Sequence, residues 1–181
     1  MEKYKVEKTF IHSKCLCAVI MTTLGHRCGY VGVTMDNMMY GIHYSDPIPG
    51  MHDKDQDLTL GKKSVMVLLH YDKGNISPDL YFDVHGGLTF SKKGNLYPIY
   101  SQGWWWFGYD CSHCDDGQDL SYMEPKLRKI YETFPQTGTI RSLTYCIEEC
   151  KNLADQLNKF YPPYKQNNPL TGGQNERMPC Q

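Results

Sequence analysis

Apolar and polar positions alternate through the first third of the chain, a pattern typical of β-strands. Lys3–Phe10 and Cys15–Met21 are two such segments, and the short polar stretch His-Ser-Lys between them suits a hairpin turn. A third segment, Cys28–Val33, follows the turn-like sequence Leu-Gly-His. The pattern therefore predicts three strands, of which the first two form a hairpin.

The middle of the chain mixes short apolar runs with turn residues. Residues 34–62 are rich in proline, glycine and charge, and they are predicted to form a long irregular loop. Short apolar or aromatic runs bounded by turn residues predict four further strands, at Ser64–Tyr71, Leu80–His85, Leu88–Ser91 and Trp104–Tyr109.

The last third changes to a helical period. The apolar positions of Thr144–Tyr161 step by four, three, four and three residues, which places them on one helical face. A shorter helix is predicted at Pro125–Tyr131, and the Asn-, Gly- and Pro-rich residues 166–181 are predicted to form a flexible tail. Strands followed by a packing helix predict one α+β domain over residues 1–165, with a mainly antiparallel sheet.

Charge narrows the choice of partners. The net charge is −1, with 19 basic and 20 acidic residues, so the chain lacks the positive surface that grips long DNA or RNA. No apolar run approaches the ~18 residues that span a membrane. The N-terminal sequence also lacks the apolar stretch of a signal peptide, so we expect a cytoplasmic protein with reduced thiols. A small anion remains a suitable ligand, because one arginine and a few backbone amides can hold a phosphate.

Aromatic residues make up 13% of the chain, including 14 tyrosines. Tyrosine and tryptophan combine an apolar body with a polar tip, so they accumulate in ligand grooves and at oligomer interfaces. A many-stranded protein uses them as well. The composition therefore leaves open a ligand groove and a homo-oligomer.

The first candidate site segment is Asp83-Val84-His85-Gly86-Gly87. In a strand, Asp83 and His85 would point to the same face, because side chains two residues apart do so. Such a pair suits an oriented general base or two metal ligands, and the two glycines would let a ligand approach the backbone. The alternative is a polar strand end with a bulge.

The second candidate segment is the aromatic run from Trp104 to His113. Strand alternation places Trp104, Trp106 and Asp110 on one face and a second aromatic row, ending at Tyr109, on the other. One row must fill the core, and the other would be covered by a helix, a partner or a ligand whose ring it stacks. A strand buried on both faces is the alternative.

The third candidate segment surrounds Arg27 and is rich in glycine. Arg27 could hold a carboxylate or a phosphate in bidentate fashion, and His26 stands beside it. The alternative is that Arg27 is an ordinary charged residue on the surface.

A metal site can be considered at Cys111-x-x-Cys114. Structural zinc sites generally show two close pairs of ligands, whereas this chain has one CxxC, and His113 between the two thiols is poorly placed for a shared tetrahedron. We therefore expect neither a metal ion nor an organic cofactor.

Three stretches together carry a resemblance. HRCGYV at residues 26–31, DVHGGLTF at 83–90 and WWFGYDCSH at 105–113 resemble a family of small proteins encoded in bacteriophages and prophages. The resemblance spans most of residues 25–160, but Cys114 departs from it, because the family usually has Ala there. It implies a phage setting and brings no activity with it. By analogy, unrelated phage proteins sequester or cleave nucleotide signals of bacterial immunity, which suggests an anti-defence role.

Three functional hypotheses follow. The first is a protein that sequesters a small nucleotide-derived ligand in a pocket formed by His26, Arg27, His85, Gly86, Gly87, Trp104, Trp106, Tyr109, Asp110 and His113. The second is a hydrolase or lyase with four acid–base groups or metal ligands, namely Asp83, His85, Asp110 and His113. The third is an inhibitor of a host protein that binds through the aromatic row. The first two require His85 and the 110–113 segment to meet at one end of the sheet.

Overall fold

The computed structural model describes residues 4–52, 74–133 and 137–162. These ranges contain five strands, β1 (Tyr4–His12), β2 (Cys15–Thr22), β3 (Arg27–Val33), β4 (Phe90–Lys93) and β5 (Trp105–Asp110). They also contain three helices, α1 (Pro78–Tyr81), α2 (Pro125–Glu132) and α3 (Leu143–Asn158), and a 3-10 turn at Leu120–Tyr122. All strand pairs are antiparallel, in the order β1-β2-β3-β5-β4. The predicted α+β class is confirmed.

The predicted hairpin and the pairing of β3 with β5 set the geometry of the sheet. Ser13 and Lys14 join β1 to β2 with φ values of 46° and 66°, the left-handed backbone that a tight two-residue hairpin requires. At the other end of the sheet, Cys28 of β3 pairs with Asp110 of β5. His26 and the residues after Asp110 therefore leave the sheet side by side.

β5 is buried on both faces. Phe107 and Tyr109 pack with the apolar row of α3, whereas Trp106 packs on the opposite face with Tyr30. The indole Nε1 of Trp106 donates a hydrogen bond to Ser101 Oγ at 2.8 Å. The two predicted aromatic rows are present, but the second row is covered by the chain itself, as the alternative interpretation of the sequence held.

Residues 80–85 do not form the predicted strand. Ser77 and Pro78 begin the short helix α1, with proline at the first helical position, where its missing N–H is not needed. Leu80, Phe82 and Val84 are nevertheless buried in alternation, which explains why the segment has a strand-like pattern. Both edges of β5 are already paired, with β3 and β4, so the segment has no place beside it.

The segment bonds to side chains of α3 instead of to a strand. The Asp83 N–H donates to Gln156 Oε1 at 2.9 Å, and the Asp83 carbonyl accepts from Gln156 Nε2 at 2.7 Å and Asn152 Nδ2 at 3.0 Å. The His85 N–H donates to Glu149 Oε2 at 2.8 Å. Polar side chains of one helix thus satisfy backbone groups that a sheet would otherwise pair.

Both predicted helices are confirmed as α2 and α3. The hydroxyl of Ser142 caps α3 by accepting a hydrogen bond from the Tyr145 N–H at 3.1 Å. The predicted strand at Leu88–Ser91 is observed two residues later, as β4. Residues 34–52, the described part of the predicted loop, form successive turns, while the predicted strand at 64–71 and the tail from 166 lie outside the described residues. Among the described helices, none has the length and apolarity to span a bilayer.

Replacing Trp106 with alanine should cost roughly 3–5 kcal/mol of unfolding free energy, the range for removing a large buried aromatic side chain. Trp106 is fully buried, and its loss also leaves the Ser101 hydroxyl without its indole partner. Trp104→Ala, on the same face but only half-buried, should cost clearly less. Urea denaturation followed by circular dichroism measures both. If both variants lost the same small amount of unfolding free energy, the result would contradict the burial of Trp106.

Candidate functional site

Asp116 is a buried carboxylate that several segments of the chain contact, and its side chain is only 1% exposed. Its Oδ2 accepts hydrogen bonds from His85 Nε2 at 2.8 Å and from the His113 N–H at 2.9 Å, and its Oδ1 accepts from Arg141 Nε at 2.7 Å. Burial raises the pKa of Asp116, but the bonds from Arg141, His113 and His85 outweigh burial and lower the pKa to about 2. Asp116 is therefore ionised at neutral pH.

Backbone hydrogen bonds bring Arg141 to Asp116. Asp116 and Thr139 form a parallel bridge, in which the Gly117 N–H donates to the Thr139 carbonyl and the Thr139 N–H donates to the Asp115 carbonyl, both at 2.9 Å. Two residues after Thr139, Arg141 precedes the cap of α3. The turn that follows β5 and the start of α3 are thus fixed to each other.

His85 uses both ring nitrogens. Its Nε2 contacts Asp116, and its Nδ1 lies 3.0 Å from the hydroxyl of Tyr145. When the ring is neutral and donates from Nε2, its Nδ1 accepts from Tyr145, which produces a continuous carboxylate–imidazole–phenol chain. Burial and the charge of Glu149 raise the pKa of Tyr145, against the opposing effect of Arg141, so the phenol stays protonated.

His113 lies against both Asp116 and His85. The ring centroids of His113 and His85 are 5.4 Å apart. The His113 ring packs on Gly86, whose φ is +65°, and a Cβ atom there would stand 1.9 Å from the His113 Cε1. The His113 Nδ1 lies 3.4 Å from Asp116 Oδ2, yet it is buried and makes no hydrogen bond. Because 32% of the side chain is exposed, this imidazole also reaches the surface.

Arg141 completes the group that we call the Asp116 cluster, which consists of His85, His113, Asp116, Arg141 and Tyr145. The Arg141 guanidinium stacks over the Tyr145 ring, 5.2 Å from its centroid, and is 25% exposed. Only its Nε is bonded, to Asp116; within the described residues the two terminal nitrogens make no hydrogen bond. The cluster therefore presents a positioned cation whose terminal donors have no partner among the residues that the structure describes.

His26 and Asp110 lie beside the Asp116 cluster. Burial lowers the pKa of His26, and the charges of Asp110 and Asp116 partly oppose that effect. The His26 Nδ1 is buried without a hydrogen bond, while Asp110 Oδ2 accepts from the Thr89 hydroxyl at 2.8 Å. His85 and the 110–113 segment thus converge as predicted, although His85 does not follow a strand.

Arg27 is not available for a ligand, contrary to prediction. Its Nε and Nη2 bond the Glu7 carboxylate at 2.6 and 3.1 Å, and its Nη1 donates to the Arg141 carbonyl at 2.7 Å. Arg27 therefore supports the backbone of Arg141. The arginine side chain that lies in the site is Arg141, not Arg27 as predicted.

The predicted stacking rings are also absent from the site. Trp106 is 0% and Tyr109 1% exposed, and the Tyr109 hydroxyl donates to the Cys146 carbonyl at 2.9 Å. Neither ring offers a face to a ligand, so the stacking role is wrong for both. Trp104 is half-buried and stands six residues before Asp110, roughly 20 Å away along the strand.

Two further predicted contacts take a different form. The Gly87 N–H donates to the Val84 carbonyl at 2.9 Å, so this amide is not free to hold a phosphate. Asp83 is exposed, and it contributes its backbone to the contact with α3. Asp83 and His85 therefore do not form a pair on one strand face, because no strand forms there.

The sequence interpretation missed Asp116, Arg141, Tyr145 and Glu149. A signal for two of them was present in the closing helix, because polar residues follow one another at steps of four, three and four beside the apolar row. They are Tyr145, Glu149, Asn152 and Gln156. A polar row at helical spacing forms one face of the helix, and this face contacts residues 83–85.

The two cysteines of the CxxC segment lie in different environments. Cys111 is buried with its Sγ 3.8 Å from that of Cys146, whereas Cys114 is exposed. One group of three candidate metal ligands occurs in the described parts of the chain, and it consists of His85, His113 and Asp116.

Two depressions differ in their chemistry. One of about 260 Å³ borders His85 and Gly86 and is also lined by Asp83 and Glu149. A larger one of about 650 Å³ lies at the far end of β5, where Lys92 and the other lining residues include no imidazole or carboxylate. Because imidazole and carboxylate groups line only the smaller of these two depressions, this depression and the adjoining Asp116 cluster form the candidate site.

Comparison with protein-family models, with curated proteins and with solved structures finds no match. The resemblance of the three motifs to phage proteins stays a prediction. The function has to be inferred from the groups of the Asp116 cluster.

Because of Asp116, the free energy of unfolding should decrease at low pH. Its folded pKa of about 2 lies below its ordinary 3.8, so its contribution is complete above about pH 4 and is lost as the pH falls towards 2. The difference corresponds to about 2 kcal/mol. Urea unfolding at several pH values in a chelating buffer should show this loss in the wild type and not in Asp116→Asn.

Asp83→Asn is the matched control, because it removes an exposed carboxylate near the same segment. It should retain the acid-dependent loss of the wild type. An Asp116→Asn protein with the same loss as the wild type would show that Asp116 is not the group responsible.

Proposed function

We propose that the chain is a hydrolase or lyase for a small phosphate-bearing substrate of the nucleotide class, with the Asp116 cluster as its active site. One observation carries the proposal. A buried, ionised carboxylate accepts hydrogen bonds from the His85 imidazole, the His113 backbone N–H and Arg141 and, through His85, positions a tyrosine hydroxyl. Perturbed titratable groups that converge beside a depression are typical of catalytic sites.

Arg141 supplies the recognition of the anion. A guanidinium presents a planar fork of donors that matches two oxygens of a phosphate. Because Asp116 already holds the Nε and Tyr145 supports the plane, the terminal nitrogens are positioned before a ligand arrives. Less side-chain entropy is then lost on binding than for a free surface arginine.

Tyr145 supplies a proton for the leaving group. Its raised pKa keeps the hydroxyl protonated, and it lies next to the guanidinium that would hold the phosphate. A protonated phenol in this position would serve as a general acid for the departing oxygen once His85 donates from Nδ1 and no longer accepts the phenol proton. The attacking group would be water in a hydrolase, or a hydroxyl of the substrate itself in a lyase.

The other two hypotheses lose support from the structure. Sequestration relied on Trp104 or Trp106 and on Tyr109 as stacking rings, and a protein–protein inhibitor relied on an exposed aromatic row. Trp106 and Tyr109 are buried, and the half-buried Trp104 stands roughly 20 Å from Asp110 along the strand. The phage setting and the anti-defence role are part of the proposal only through the motif resemblance. Sequestration is retained as an outcome that the following experiment distinguishes.

Incubation with linear and cyclic mono- and dinucleotides, followed by heat denaturation, chromatography and mass spectrometry, tests the proposal. We expect a product of new mass from one of these substrates. Tyr145→Phe should lower kcat by about 10²–10⁴ and leave KM largely unchanged, because it removes the acid and not the anion site. Arg141→Ala should raise KM as well.

His12→Ala is the matched control. His12 also contacts a carboxylate, Asp155 at 2.9 Å. It lies beside the turn of the β1–β2 hairpin, at the end of the sheet opposite to the Asp116 cluster. It should retain wild-type turnover. An intact nucleotide released by heat would favour sequestration instead, and a protein that neither binds nor cleaves any of these nucleotides would overturn the proposal.

A further inference from the structure

Three potential ligand atoms in the Asp116 cluster face a common point. His85, His113 and Asp116 each offer one ligand atom, and these three atoms lie within 4.8 Å of one another. The carboxylate oxygen is 2.8 Å from the His85 nitrogen and 3.4 Å from the His113 nitrogen. Ligands bound tetrahedrally to one zinc ion at about 2.0–2.1 Å stand roughly 3.3 Å apart, so changes of about 1.5 Å or less in these separations suffice.

The unpaired nitrogen of His113 points to a missing partner. The His113 Nδ1 is buried and has no hydrogen bond, although a carboxylate oxygen is 3.4 Å away. A buried polar atom normally finds a partner, because an unsatisfied one costs about 1–3 kcal/mol. A cation between this nitrogen and Asp116 would satisfy it.

The surrounding contacts are those of a metal site. Metal-binding imidazoles usually donate their second N–H to an oxygen, and metal-binding carboxylates are themselves hydrogen-bonded. His85 Nδ1 lies 3.0 Å from the Tyr145 hydroxyl, and the second oxygen of Asp116 accepts from Arg141. The Tyr145 hydroxyl can partner His85 in both states, because His85 only has to change tautomer when its Nε2 binds an ion.

We propose that His85, His113 and Asp116 bind one divalent transition-metal ion of the zinc class. Two imidazoles and one carboxylate are suitable ligands for Zn²⁺ and its neighbours, and three protein ligands leave a coordination position for water or a substrate oxygen. This inference deepens the proposed function at the same site, since the ion would activate the attacking water. Binding of the ion does not itself require turnover. The proposal replaces the expectation, drawn from the sequence, that no metal is bound.

Gly86 sets the position of one ligand. The His113 ring lies where a side chain at residue 86 would be, with its Nε2 2.3 Å from the site of a Cβ. Gly86→Ala keeps all three ligands but must push the His113 ring away. Gly103→Ala carries a similar left-handed strain, with φ +81°, and its Cβ would have no atom within 4 Å. Comparing Gly86→Ala with Gly103→Ala therefore distinguishes displacement of the His113 ring from the effect of backbone strain.

Titration of metal-free, thiol-reduced protein with Co²⁺, followed by optical spectroscopy and calorimetry, tests the site. We expect one ion per chain, with the bands of nitrogen and oxygen ligands and no thiolate charge-transfer band. His113→Ala and Gly86→Ala should each weaken binding by about 100-fold or more, and Tyr145→Phe by about tenfold, as expected for a residue that orients a ligand. His12→Ala, Cys114→Ser and Gly103→Ala should bind like the wild type.

The proposal is overturned if no ion binds at millimolar Co²⁺, if a thiolate band appears, or if His113→Ala leaves the affinity unchanged. Its failure can be told apart from that of the proposed function. Nucleotide cleavage by a protein that binds no Co²⁺ sinks the metal site and keeps the enzyme, whereas a bound ion without cleavage of any nucleotide keeps the metal site and sinks the enzyme.

Discussion

The compensation of one buried negative charge organises this protein's candidate site. A carboxylate removed from water is costly unless hydrogen-bond donors or cations surround it, and Asp116 obtains them from the 85, 113 and 141 positions. These three positions lie far from one another in the sequence. The same bonds that stabilise the charge therefore assemble the imidazoles, the guanidinium and, through His85, the phenol of Tyr145.

Helix α3 connects this site to the rest of the fold through two adjacent rows of side chains. Its apolar row, which includes Cys150 and Leu153, packs on the sheet. Its polar row holds residues 83–85 by side-chain hydrogen bonds, with Gln156 at one end and Tyr145 at the other. His85 is thus positioned by a helix that the hydrophobic core already fixes. A site held in this way can keep reacting groups aligned without a bound ligand.

Periodicity allowed the hairpin, β3, β5, α2 and α3 to be predicted from the sequence, because each is a local pattern. It failed at residues 80–85, where burial alternates as in a strand but both edges of β5 are occupied. His85, His113, His26 and Asp110 were predicted as site residues because glycines and aromatic residues mark their segments. Arg141 has no such signal in the sequence. It lies in the site because Asp116 and Thr139 form a bridge, and this contact exists only in the folded chain. Arg27 was chosen in its place, and its bond to Glu7 depends likewise on tertiary structure.

The central claim is that Asp116 fixes the His85 imidazole by a direct hydrogen bond and places the His113 imidazole through the His113 backbone N–H. Long-range ¹H–¹⁵N correlation spectra of histidine-labelled, metal-free protein at mildly alkaline pH test it most directly, because they report which ring nitrogen carries the proton. For His85 we predict a single tautomer, protonated at Nε2, that is lost in Asp116→Asn. For His113, whose Nδ1 lies 3.4 Å from Asp116 Oδ2, we predict a tautomer balance that also changes in Asp116→Asn. Averaged tautomers for both rings, unchanged by Asp116→Asn, would contradict the claim.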